Sequence, residues 1–505
     1  MEQAHRANTQ ETETASGISR RTVLKSAAVG AASLTTAGAF GSLLKAAPAQ
    51  PKIAIVGGGI AGLNAALTLQ TAGYRSTIYE ASNRIGGRIW TIKDALGPGL
   101  TTELGGEFID SGHDEMLRLA RLFRLRLLDF QAPSETGLKE TYFFGGRART
   151  EAEIIAAFQP VAAKIADDQD NTDFTDYTDF NALALGLDRT PLDLYLHRVG
   201  ARGWLYDLLH VAYLTEYGCE INQQSALNLV FLIGTDLSEG FSEFGESDQR
   251  YKIDGGNERL ILAMGSHLQT QVQTDQALTG IRPHGNGFKL HLAKGNGHHQ
   301  EVDADIVLLT LPLTLLREVD IDIDLPSRVR KGINQVQYGT NAKVILGYDS
   351  RYWRNAGANG LFFTDLPLQS GWDSSQEQPG RNGSLTIYYG GRNGIESGEG
   401  SVSEQAEFAR RNVQHMFPAR TNQSNDRHFR FHWPSYKWAK GSYTCFSPGQ
   451  YTQFSGVFNQ PMGNLFFAGE HCSFDSQGYM NGGAQTGFDA ATAIVQQIQA
   501  PHRRP

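Results

Sequence analysis

Gly57, Gly59 and Gly62 stand at GxGxxG spacing directly after the apolar run 52–56 and open a second apolar stretch that reaches Leu69. Strand, tight turn and helix in that order form the setting in which such glycines bind a pyrophosphate. The first permits the turn, the second lets the backbone approach the phosphates, and the third lets helix and strand pack closely. The amides of Ile60 and Ala61 then lie at the positive end of the helix. A second strand, 76–79, leads into Glu80. A carboxylate about twenty residues beyond the turn accepts hydrogen bonds from both ribose hydroxyls of an adenosine and disfavours a 2′-phosphate. These residues predict dinucleotide binding, and both FAD and NAD satisfy them.

The residues that follow discriminate between the two. Glu80-Ala81-Ser82-Asn83-Arg84-Ile85-Gly86-Gly87-Arg88 carries the acid-to-GGR spacing of flavoproteins of the glutathione-reductase superfamily. Together with Glu103-Leu104-Gly105-Gly106-Glu107 it resembles the flavin-containing amine oxidase family: monoamine, polyamine and L-amino-acid oxidases. At the far end, Asn464-Leu465-Phe466-Phe467-Ala468-Gly469-Glu470-His471 resembles the family's closing strand and FAGE turn, and Gly478-Tyr479-Met480-Asn481-Gly482-Gly483 opens a last helix. Between them, Tyr251–Gly256 and a weak strand around Val272 resemble the second flavin segment, where a Val backbone meets adenine. The resemblance spans residues 52–495 and is nearest to bacterial L-amino-acid oxidases.

It implies an α/β fold: a Rossmann-like FAD-binding domain interleaved with a substrate domain of mixed sheet and helices. It also implies that Glu80 and Ala81 hold the adenosine. Gly87, Arg88, Gly105, Gly106 and Glu107 approach the pyrophosphate and flavin, Glu470 meets the ribityl chain, and the helix starting at Met480 aims its positive end at the flavin N1/O2 region. Where monoamine oxidases bond a Cys to the flavin, this chain has Ser442, so non-covalent FAD is expected. Tyr443 and Tyr479 become two walls of an aromatic cage that orients an amine.

The family's pocket residues are less well matched. Polyamine oxidases place a Lys near flavin N5 through a water in a TVPLGVLK-like stretch, and 310–317 here reads TLPLTLLR, which puts Arg317 there as a water-ordering cation. Animal L-amino-acid oxidases clamp the substrate carboxylate with an arginine two residues after the GGR arginine; here that residue is Trp90, expected as pocket wall. Asp110 stands where polyamine oxidases put an acid or His, and it serves as either a substrate ligand or a helix cap; Arg202 is a candidate carboxylate partner, and Glu216 reads as a paired buried acid. The implied reaction is L-amino acid plus O2 and water to 2-oxo acid, ammonia and peroxide. Mono- or polyamine oxidation is the alternative, and an FAD-binding electron-transfer protein without oxidase turnover is a third class.

These groups have to be positioned by a chain of 505 residues. The motifs divide it into an FAD domain from 50–115, 250–320 and 435–500, and a substrate domain from 116–249 and 321–434. Apolar residues from Leu205 to Phe231 recur at helical spacing, and 343–348 and 384–389 read as strands. A net charge of −8 without a basic run excludes a nucleic-acid partner. Cys219, Cys445 and Cys472 form no CxxC pair, so neither a metal site nor a disulfide framework is expected. Residues 1–49 resemble a twin-arginine export signal: Arg20-Arg21, a weakly apolar stretch, and Ala47-Pro48-Ala49 for cleavage. A periplasmic or secreted enzyme with no permanent membrane span is therefore expected, with a small amine or amino acid and molecular oxygen as its partners. The oligomeric state is left open, a homo-oligomer included.

Overall fold

The strands that carry the fingerprint lie in a five-stranded parallel sheet, in the order Leu465–Phe467, Ile306–Leu309, Ile53–Val56, Ser76–Tyr79, Val272–Gln273. The computed structural model describes residues 50–172, 175–419, 421 and 423–500, so the expected export signal at 1–49 lies outside the described residues. Every residue of Ile53–Val56 and Ile306–Leu309 is buried, as continuous apolar runs in a sheet covered on both faces must be. Helix Ile60–Thr71 follows the fingerprint turn and packs against the last helix, Met480–Gln499. Their approach is close: a Cβ on Gly487 would lie 2.2 Å from the carbonyl oxygen of Ala61.

A second, seven-stranded sheet runs in the order Ser424–His432, Ala342–Tyr348, Gly383–Tyr389, Ser370–Asp373, Ala358–Thr364, Lys139–Phe144, Arg147–Arg149. Its two strands read from the sequence, Ala342–Tyr348 and Gly383–Tyr389, pair antiparallel along their whole length. The helical stretch is also present. Helix Gly203–Tyr217 buries Leu205, Leu208, Leu209, Ala212 and Tyr213 and stops at Gly218, whose φ of 67° is the left-handed conformation that ends helices. Glu216 thus occupies the helix's last turn. Both sheets belong to one unit that begins at Gln50, and no helix among the described residues is long and apolar enough to cross a membrane.

Candidate active site

A cavity opens where the parallel strands end. Gly57, Glu80, Thr310 and Gly469, each just beyond the carboxyl end of its strand, line it, as ligand sites of such sheets require. Further lining residues include Lys343, Trp372 and Tyr388 of the seven-stranded sheet, Glu216 at the end of helix Gly203–Tyr217, and Tyr443 and Tyr479.

The dinucleotide end is built by close approach. A Cβ on Gly62 would sit 2.1 Å from the oxygen of Gly57, so the turn and helix can nest only around a glycine. One on Gly105 would lie 1.7 Å from the Arg88 carbonyl, where the Gly106 amide also donates. The space beside Gly59 holds no protein atom within 4 Å, which leaves its backbone open to a ligand. Glu80 accepts the Gly58 amide at 2.8 Å and the Ser82 amide and hydroxyl at 2.8 and 2.7 Å, so its carboxylate is fixed beside the turn. Arg88 donates to Glu470 at 2.9 Å and to the Ser442 carbonyl at 2.8 Å. Burial would raise the Glu470 carboxyl, but Arg88 and the Thr444 hydroxyl overcome it and hold it below its ordinary range. An open backbone, an oriented acid and a half-buried guanidinium at successive points along one cavity fit a dinucleotide with an anionic centre.

At the other end, Tyr443 donates to the backbone carbonyl of Glu216, so Tyr388, 2.9 Å away, donates to the Tyr443 oxygen. Tyr479 donates to the Glu216 carboxylate at 2.7 Å. Burial pushes that carboxyl up to about 7, opposed by the Tyr479 bond and assisted by the charge of Asp110. Beside them lies a buried quartet of charged side chains, of which Lys343 and Glu107 line the cavity. Lys343 Nζ reaches Glu107 at 3.1 Å and the carbonyls of Glu103 and Gly105 at 3.0 and 2.9 Å, and Lys252 reaches the other Glu107 oxygen at 3.1 Å. Burial alone would raise the Glu107 carboxyl; the two ammoniums reverse this and lower it. Glu103, 3.9 Å from Lys252, is left with burial dominant and is pushed up to about 7.

The structure brings Gly57, Gly59, Ile60, Ala61, Glu80, Ala81, Gly87, Arg88, Gly105, Gly106, Glu107, Tyr443, Glu470, Tyr479 and Met480 to the cavity. Gly62 does packing work behind it. Five expected residues lie elsewhere. Arg317 spends its guanidinium on the carbonyls of Ile333 and Val336. Trp90 is packed edge-on against Phe431, with ring centroids 5.2 Å apart and the Arg84 guanidinium 4.3 Å from its own, because a large apolar ring gains more in that cluster. Asp110 is engaged by Ser247, the Gln249 amide and His113, and it caps no helix, since the next begins at Asp114. Val272 pairs with Ile78 in the sheet and does not line the cavity; its neighbour Gln273 accepts the Glu80 amide at 2.8 Å, and Gln276 donates to the Glu80 carbonyl at 2.8 Å. Arg202 merely precedes helix Gly203–Tyr217 and bonds the Ala201 carbonyl.

Sheet topology and cavity together define an α/β protein of the dinucleotide-binding kind whose cavity has an aromatic far end. The sequence profile described as "Flavin containing amine oxidoreductase" matches residues 60–495. The chain therefore belongs to the flavin-containing amine oxidoreductase family, and its cofactor is FAD. An L-amino acid dehydrogenase of Synechocystis sp. is 24% identical over 87% of this chain and 94% of its own. Polyamine oxidase 4 of Oryza sativa subsp. japonica is 23% identical over 89% of each chain. The solved cyclohexylamine oxidase of Brevibacterium oxydans shares the fold with a TM-score of 0.77 at 21% identity, covering 89% of this chain and 100% of its own.

Among the cavity residues not assigned there from sequence are Glu216, Lys343, Trp372 and Tyr388. The available signal for Lys343 was a charge at the head of the otherwise apolar strand 343–348, which must be paired if buried.

Proposed function

We propose that the chain oxidises an amine that carries no α-carboxylate, passing electrons to oxygen and releasing peroxide. One observation carries the reading: both cations lining the cavity are already paired, Arg88 with Glu470 and Lys343 with Glu107. An α-carboxylate brought in beside them would be desolvated without a partner, at a cost of several kcal/mol. It would also face Glu216. An ammonium meets the opposite situation, because an ionised Glu216 attracts it and the faces of Tyr443 and Tyr479 accept it.

Glu216 then has a second task. Only the neutral amine has a free lone pair, and a carboxylate with a pKa near 7 can take the ammonium's proton in the neutral range. Bound FAD supplies the hydride acceptor for the carbon next to nitrogen. The tyrosines fix the amine's orientation, and Lys343, with its donors filled by Glu107 and the carbonyls of Glu103 and Gly105, holds the double-glycine loop against the cavity.

L-amino-acid oxidation is the second reading, favoured by the name of the Synechocystis relative. It would require Lys343 to exchange Glu107 for the substrate. Peroxide release over a panel of amines, diamines, amino acids and their methyl esters separates the two. Turnover of amines and esters with little turnover of free amino acids supports the proposal, the reverse pattern overturns it, and no peroxide with any of them would leave an electron-transfer flavoprotein. We also propose export of the folded holoenzyme through the signal at 1–49.

A further inference from the structure

One face of the seven-stranded sheet crosses the cavity as a row of cross-strand partners. Lys343 stands opposite Tyr388, Tyr388 opposite Ser370, Ser370 opposite Phe363, and Phe363 opposite Tyr142. The first four line the cavity, and the Phe363 and Tyr142 rings stack with centroids 5.8 Å apart and 11° between their planes. Successive residues of a strand face opposite ways, so Leu361 joins Phe363 on the cavity side while Phe362 is buried against Phe417 on the other. Phe244 also lines the cavity here, its ring centroid 6.0 Å from that of Phe363.

The row is graded in charge. At the Tyr388 rung its hydroxyl meets Tyr443, which donates to the Glu216 carbonyl, so the acid that attracts an ammonium stands there. One rung on is the neutral Ser370, and after it come Leu361, Phe363 and Phe244. The acids among the described lining residues are Glu80, Glu107, Glu216 and Glu470. Glu80 is fixed at the fingerprint turn, Glu107 faces Lys252 and Lys343, and Glu470 faces Arg88, which leaves Glu216 alone without a cation. A fifth acid, Glu243, is buried outside the lining, with its carboxylate 2.9 Å from the hydroxyl of Tyr142, the ring stacked on Phe363. A second ammonium in this part of the cavity would therefore be desolvated without a partner.

We propose that this row selects a monoamine with one apolar body, a straight chain or an arylalkyl group, whose charge sits at Glu216 and whose far end meets Phe363, the residue that limits its length. The inference rests on the reading of the site as an amine oxidase with Glu216 as the ammonium's partner, and adds the class of amine. The sheet itself is the ruler: the two strand spacings from Tyr388 to Phe363 span roughly 10 Å, the reach of an extended amine of about seven carbons. Each methylene laid against Leu361, Phe244 and Phe363 leaves water and adds roughly fourfold in affinity until the Phe363 ring is reached. Diamines and polyamines fit the length but not the charge.

The test is a length series of straight-chain primary amines and their α,ω-diamines, read as kcat/KM in the holoenzyme. For the monoamines kcat/KM should rise about fourfold per methylene and stop rising near seven carbons, and the diamine of equal length should be at least about thirtyfold poorer. Phe363→Ala opens the end of the row onto Tyr142 and should move the break to chains longer by about three carbons; Phe363→Leu, the milder change if the first fails to hold its flavin, should move it by about one. Leu361→Asp puts an acid beside the apolar body and should raise the ratio of diamine to monoamine turnover about tenfold or more. A break unmoved in both Phe363 variants, a flat length series, or a native preference for diamines would overturn the inference. Preference for free 2-amino acids over every amine would instead sink the proposed function, and the same length series run on straight-chain 2-amino acids in the native and Phe363→Ala proteins would then decide whether Phe363 sets the limit.

Discussion

Replacing Glu216 by Gln keeps the side chain's shape and an oxygen for Tyr479 but removes the charge. Burial lifts the carboxyl from its ordinary 4.5 to about 7. A shift of that size corresponds to about 3 kcal/mol of preference for the neutral form in the folded protein. Because the folded value lies above the unfolded one, the stabilisation is fully present below pH 4.5 and is lost as pH rises through 7. The stability of Glu216→Gln relative to the native protein should therefore increase by about 3 kcal/mol between pH 4.5 and a pH above 7, as read by denaturant unfolding of the holoenzyme at both ends of that window. In turnover the direction reverses. Loss of the partner for the substrate ammonium should lower kcat/KM by about 2 to 5 kcal/mol, roughly thirtyfold to several thousandfold, and abolish the rise of kcat/KM near pH 7. An unchanged pH profile with undiminished kcat/KM would refute the assignment of Glu216 to substrate. A pH-independent stability difference would refute the burial argument itself.

Three other outcomes follow from the cofactor end and from the proposed export signal. Glu80→Ala removes a carboxylate fixed by Gly58 and Ser82, and FAD affinity measured by flavin fluorescence should fall about ten- to a hundredfold, or about 1.5 to 3 kcal/mol; native affinity would exclude Glu80 from the ribose. Since Ser442 occupies the position of the flavinylated Cys, acid precipitation should leave a colourless pellet and yellow supernatant; a yellow pellet would show a covalent link. Arg20→Lys with Arg21→Lys should hold the uncleaved chain in the cytoplasm, seen by fractionation and blotting, whereas normal export would show that 1–49 is not a twin-arginine signal.

What could be read from sequence was local. The fingerprint turn, Glu80, the GGR arginine and the FAGE turn each lie within a few residues of the strand or helix that aims them, so spacing alone carried them to the cavity. Lys343 was missed because it depends on register. It belongs to a central strand of the seven-stranded sheet and pairs with Glu107, 236 positions away, and no spacing rule links the two. The same limit explains Asp110 and Trp90. Each sits close in sequence to a cavity residue, yet whether its side chain faces the cavity or the packing behind it is decided by Ser247 and Gln249 in one case and Phe431 in the other. Val272 stands in the sheet beside Ile78, one residue before the Gln273 carbonyl that meets the Glu80 amide, and it lies outside the cavity lining.

The claim that both cavity cations are already committed is tested most directly by rapid mixing of the oxidised holoenzyme, without oxygen, with an L-amino acid and with the amine formed by its decarboxylation. The rate of flavin bleaching per unit concentration should favour the amine by at least about thirtyfold, the equivalent of about 2 kcal/mol. Faster bleaching by the amino acid would contradict the account and assign a carboxylate-binding role to Lys343.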